Sequence, residues 1–119
     1  MQRLRAVGAV LTGVALLASV TACGGEDKAS SDDPVVVKIT IKDGKVDPSG
    51  DRVDVGTGQP IDLEVTADKP GELHVHSEPE QQLEYAAGET TLKIAIDRPG
   101  VVAVESHELD QIIVQLEVR

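Results

Sequence analysis

The sequence predicts an all-β protein, a Greek-key β-sandwich of seven to eight short strands. Three observations carry this. Apolar and polar residues alternate with period two in several separate runs, which is the pattern of a half-buried strand. Turn chemistry punctuates those runs at short intervals: "KDGK" at 42–45, "GTGQP" at 56–60, "DKPGE" at 68–72, "AAGE" at 86–89 and "DRPG" at 97–100. No ten-residue window past residue 34 shows a helical period.

Taken in chain order, the strands begin with Val37, Ile39 and Ile41, which alternate with Lys38 and Thr40. A short strand covers Arg52 to Val55. Ile61, Leu63 and Val65 then alternate with Asp62, Glu64 and Thr66. "ELHVHS" at 72–77 makes a further strand. Leu92, Ile94 and Ile96 alternate with Thr91, Lys93 and Ala95. Another strand runs from Val101 to Glu105. The last places Ile112, Val114, Leu116 and Val118 on one face, against Gln115 and Glu117 on the other. Two sheets with one apolar layer between them satisfy this pattern. The core has to be aliphatic, because the chain has no Phe or Trp and Tyr85 is its one aromatic residue.

The first 34 residues are of another kind. Arg3 and Arg5 precede an uncharged run from Ala6 to Val20, rich in Ala, Val, Leu and Gly. That run is too short for a membrane span and suits the apolar region of a secretory signal over residues 1–22. It ends in "VTAC", which resembles the lipobox of bacterial lipoproteins. The resemblance implies cleavage before Cys23, lipidation of Cys23 with acyl chains such as palmitate, and a cell-membrane location facing the extracytoplasmic side. Residues 23–34 are Gly, Ser and acid-rich and read as a lipidated flexible tether. Residues 35–119 are the domain, a length that a single core can serve.

Charge and sulfur exclude several functions. The full chain carries a formal net charge of −10. Without Arg3 and Arg5 it keeps 9 basic and 21 acidic residues, a net charge of −12. Such a surface repels nucleic acid and anionic headgroups, so the membrane is a partner through the lipid anchor and not through charge. Cys23 is the sole cysteine and Met1 the sole methionine. Once the signal is removed and Cys23 is acylated, no thiol, disulfide or thioether remains. Thiol catalysis and iron–sulfur chemistry are thereby excluded.

"AAGETTLKIAIDRPGVVAVESHE", residues 86–108, resembles the closing half of a cupredoxin-like domain. Gly88-Glu89 match the turn that opens a strand in that family. Pro99-Gly100 match the turn into the strand that delivers its copper-ligating cysteine. Val102 and Val104 stand where the family usually has aromatic residues. Ser106 falls at the cysteine position, with His107 one residue beyond. Upstream, "VTADKPGELHVHSE" is similar to cupredoxin-like domains of small bacterial lipoproteins, which also carry an "HVH" strand. The resemblance spans roughly residues 36–119. With serine in place of cysteine and no methionine, it does not imply a blue-copper centre, which needs the thiolate.

The candidate site residues are His74, His76 and His107, the chain's three histidines. Residues i and i+2 of a strand face the same way, roughly 6.5–7 Å apart. With Leu73 and Val75 facing the core, His74 and His76 share the outer face. Imidazole suits Cu(II), Zn(II) and Ni(II). The cupredoxin arrangement implies that His107 ends a strand beside "HVH", and Glu78, Glu105 and Glu108 are the carboxylates within reach in sequence. Such an imidazole set can equally be a polar strand face that binds nothing. Ser106 and His107 adjoin, so they point to opposite faces and do not make a nucleophile–base pair. No phosphate loop or calcium loop is present. The expectation is a protein that is not an enzyme and has no organic cofactor. It would bind a transition metal, copper first, for storage or delivery. The alternative expectation is an interaction module presenting an acidic sheet face to an envelope protein.

Overall fold

A computed structural model describes residues 33–119. The signal, Cys23 and the tether up to residue 32 lie outside the described residues. Nine strands form two sheets: β1 (Val35–Lys42), β2 (Lys45–Asp47), β3 (Asp51–Val55), β4 (Ile61–Ala67), β5 (Gly71–Val75), β6 (Gln81–Tyr85), β7 (Gly88–Ile94), β8 (Gly100–Ser106) and β9 (Gln111–Val118). One sheet has the order β2-β1-β4-β7 and the other β3-β9-β8-β5-β6. The pairs β1·β4 and β3·β9 are parallel and the remaining pairs antiparallel. The fold is a cupredoxin-like β-sandwich, with no helix among the described residues.

The alternation of the sequence becomes the two walls of the core. From β1 come Val37, Ile39 and Ile41. β4 adds Ile61, Leu63, Val65 and Ala67, and β5 adds Leu73 and Val75. Val102 and Val104 of β8 and Val114, Leu116 and Val118 of β9 close the layer. Leu63 and Leu73 are fully buried, as are Val75 and Val104. The hairpin β1–β2 turns on Asp43 and Gly44, with φ of 51° and 71°. Positive φ at both central residues is what a tight two-residue hairpin requires, and Asp-Gly supplies it at low steric cost.

Three features depart from the sequence-based expectation. β2 has three residues and β6 reads Gln-Gln-Leu-Glu-Tyr, so neither shows a usable alternation, and both are sheet edges. The third departure is in β9. Ile112 is 43% exposed, while Ile113 is fully buried. Val104 pairs with Val114 but Glu105 pairs with Ile112, so Ile113 is an extra residue in a β-bulge. A bulge places two residues of one strand against one of its neighbour and reverses the facing of everything beyond it. Ile113 takes the core position, and its carbonyl accepts the Gly50 N–H at 2.9 Å.

Tyr85 ends β6 at the rim of a cleft of about 350 Å³, lined by Ile41, Pro70, Glu108 and Leu109 among others. Its phenol pKa is raised, first by burial, then by the Glu108 and Asp68 carboxylates. The neutral phenol is therefore favoured in the fold. Its contribution to stability is full below the unfolded value of about 10 and is lost as pH rises through the higher folded value. Tyr85→Phe is expected to flatten the loss of melting temperature as pH rises above about 10. Parallel alkaline limbs for the two proteins would refute this.

Candidate metal centre

Pairing between β5 and β8 builds the site. Leu73 lies opposite Ser106, His74 opposite Glu105 and Val75 opposite Val104. The His107 N–H donates to the Glu72 carbonyl at 3.0 Å, which continues the ladder by one step. Facing residues of an antiparallel pair project to the same side. Leu73 and Ser106 go into the core, both fully buried. Glu72, His74, Glu105 and His107 go outward and form a block of four side chains on β5, β8 and the first residue of the turn after β8. Further along, the His76 N–H donates to the Ala103 carbonyl at 2.9 Å.

Within the block, Glu72, His74 and His107 each offer one ligand atom, and these atoms lie within 4.8 Å of one another. His74 Nε2 is 2.8 Å from Glu72 Oε1. The His74 and His107 rings have centroids 4.6 Å apart and planes inclined by 37°. Zinc-type bonds of 2.0–2.1 Å place neighbouring tetrahedral ligand atoms roughly 3.3–3.4 Å apart. Small rotamer changes therefore bring the three donors onto one ion.

His76 lies outside that group. Its ring centroid is 6.3 Å from that of His74, with the planes at 79°. Its Nε2 is 2.8 Å from Glu105 Oε2, and its Nδ1 is 3.5 Å from Glu80 Oε1. The His76 imidazole, and after it Asp110, holds the Glu105 carboxyl below the usual range. The structure thus brings two of the three histidines together and stations the third on two carboxylates.

The carboxylate of the group is Glu72, which sequence reasoning passed over in favour of Glu78, Glu105 and Glu108. Its position two residues before His74, on the same strand face, was the available signal. Glu78 instead pairs with Arg98 at 3.1 Å. The Glu108 carboxylate accepts the Glu72 N–H at 3.0 and 3.2 Å, and so steadies the start of β5. Gly71 is required beside it: a Cβ there would lie 2.8 Å from Glu108 Oε2 and 2.7 Å from Tyr85 Cζ.

The described residues include no cysteine and so offer no thiolate to copper. Ser106 is fully buried, and its hydroxyl accepts the Leu109 N–H at 3.4 Å. It faces away from His107. A shallow depression on the outer face of the other sheet, lined by Lys38, Thr40, Glu64, Thr66, Glu89 and Thr91 among others, has no imidazole.

No family model matches the sequence, and no curated protein does either. Solved structures do resemble the fold. A Cu(I) amicyanin variant aligns with a TM-score of 0.52 at 11% identity, over 71% of this chain and 82% of that one. Auracyanin A, a blue copper protein of the green thermophilic photosynthetic bacterium Chloroflexus aurantiacus, aligns at 0.53 and 12%, over 73% of this chain and 100% of its own. A multicopper oxidase from Pseudomonas thermotolerans aligns at 0.53 and 13%, over 74% of this chain and 30% of its own.

Proposed function

We propose that this protein is a metal-binding protein that holds a divalent transition-metal ion, copper(II) first, between Glu72, His74 and His107. It would store the metal or pass it to a partner. The observation that carries this reading is the convergence of two imidazoles and a carboxylate from β5 and the turn that follows β8. Two nitrogen donors and one oxygen donor suit Cu(II) and Zn(II). The solved neighbours include copper proteins, which supports copper as the first ion to test. No enzymatic role is proposed. Ser106 is buried and His107 is exposed, so these two do not form a nucleophile–base pair.

We also propose that the domain is held at the outer side of the cell membrane by acyl chains on Cys23, through the tether of residues 23–34. The Cys23→Ala protein is expected to remain an uncleaved and unacylated precursor. Intact-mass measurement of membrane fractions checks this; wild-type protein without an acyl mass increment would rule out the anchor.

An acidic interaction module has less support. The exposed large apolar residues among those described are Val36, Val101 and Ile112. They make no contiguous patch: Val36 belongs to the other sheet, and Val101 and Ile112 pair with Glu117 and Glu105, well apart along the strands. Calorimetric titration of Cu(II) and Zn(II) into wild type and into the variant with all three histidines replaced by alanine tests the metal reading. Equal affinities would end it.

A further inference from the structure

His76 is arranged too specifically to be a spare imidazole. Its Nε2 is engaged by Glu105 at 2.8 Å, and that contact turns Nδ1 toward Glu80 Oε1, 3.5 Å away. The same Glu80 oxygen is 3.9 Å from His74 Nδ1. One carboxylate oxygen therefore stands between the two imidazoles. Exposure falls along this path. The Glu80 side chain is 51% exposed, that of His76 43% and that of His74 18%. On this side of the group Glu80 and His76 are the more exposed donors, while His107 is exposed on the other side. As a simple ion pair between exposed groups, His76 and Glu105 would contribute little to stability.

We propose that His76, Glu80 and Glu105 form a capture position for a divalent cation, from which the ion passes to Glu72, His74 and His107. This rests on the reading of those three residues as the metal-holding group. Glu105 orients the ring by accepting from Nε2–H, which leaves the Nδ1 lone pair free. The ion exchanges water for His76 Nδ1 and a Glu80 oxygen. It then exchanges His76 for His74 Nδ1 while Glu80 remains attached; because Glu72 lies on the Nε2 edge, the His74 ring turns about its Cβ–Cγ bond to carry the ion to Glu72 and His107 as Glu80 is released. Each exchange replaces one neutral or anionic donor by another with no redox change, and the proton that His74 Nε2 shares with Glu72 Oε1 at 2.8 Å is released to solvent as the ion takes its place. The carboxylates of Glu72, Glu80 and Glu105 on one face also raise the local cation concentration, an effect that speeds association and is screened by salt.

A capture position changes rates and leaves the equilibrium alone. Because the ion leaves by the path it enters, blocking that path slows both directions equally. Stopped-flow mixing of the purified protein with Cu(II), followed by quenching of Tyr85 emission, reads both rates. His76→Ala is expected to slow association and dissociation by a common factor of about 10, at the low end of electrostatic and orientational effects on association, with Kd unchanged within about twofold. Glu80→Gln, which keeps shape and removes charge, should do the same to a smaller extent. Both residues are exposed, so either variant keeps the fold. Unchanged rates in His76→Ala would overturn the proposal. So would a higher Kd caused by faster dissociation alone, which would make His76 a permanent ligand. If wild type binds no tighter than the His74→Ala, His107→Ala double variant, the metal centre itself fails and the capture position with it.

Discussion

Alanine in place of His74 is expected to weaken Cu(II) binding at least about 100-fold. Removing a group that only steadies a metal ligand typically costs 10- to 100-fold, so loss of a ligand lies at or above the top of that range. His74 is the centre of its group. It lies 2.8 Å from the Glu72 carboxylate and its ring packs 4.6 Å from that of His107. Without it, Glu72 on β5 and His107 in the turn after β8 remain as two donors, with nothing between them to close the coordination. Stability should change little, because the pairs it breaks are partly solvated. Wild-type affinity should also fall with pH, since protons and metal compete for the same imidazole lone pairs. His74→Ala retaining wild-type affinity, with the fold intact by circular dichroism, would place the ion elsewhere.

Leu63→Ala is expected to lower the unfolding free energy by about 2–5 kcal/mol, the range for removing a leucine side chain from a closed core. Leu63 is fully buried at the centre of β4, between Val37 of β1 and Leu92 of β7. A typical domain has only about 5–15 kcal/mol to lose. Here the core is aliphatic apart from Tyr85, and Cys23 is the one cysteine, so no disulfide restrains the unfolded chain. At about 4–8 °C per kcal/mol, the melting temperature should drop by roughly 8–40 °C. Val36→Ala is the control. Val36 sits on the same sheet but is 48% exposed, so its replacement should stay within about 0.5 kcal/mol. If the two variants melt together, the sandwich core is not where the structure places it.

The sequence by itself determined the class of fold and the strands that build its core. Val37-Ile39-Ile41 and Ile61-Leu63-Val65 announce themselves because period-two alternation is a local property, imposed on each strand by the single layer it faces. It also determined that residues 35–119 carry no cysteine and that His74 and His76 share one face. The tertiary structure decided what these residues meet. Glu72 shares a strand face with His74, and the cupredoxin resemblance implied that His107 lies beside that strand, but the meeting of Glu72 with His107 depends on the register of β5 against β8, a long-range choice that local alternation cannot encode. The bulge at Ile113 was hidden for a related reason. Ile112, Ile113 and Val114 are all apolar, so hydropathy does not say which of them turns outward. Only the pairing of Glu105 with Ile112 and Val104 with Val114 settles it. Strands β2 and β6 escaped notice because edge strands bury one short flank and carry too few apolar residues to show a period. The candidate centre arises where two strands, each legible alone, are set side by side with one residue pair beyond the ladder that the core demands.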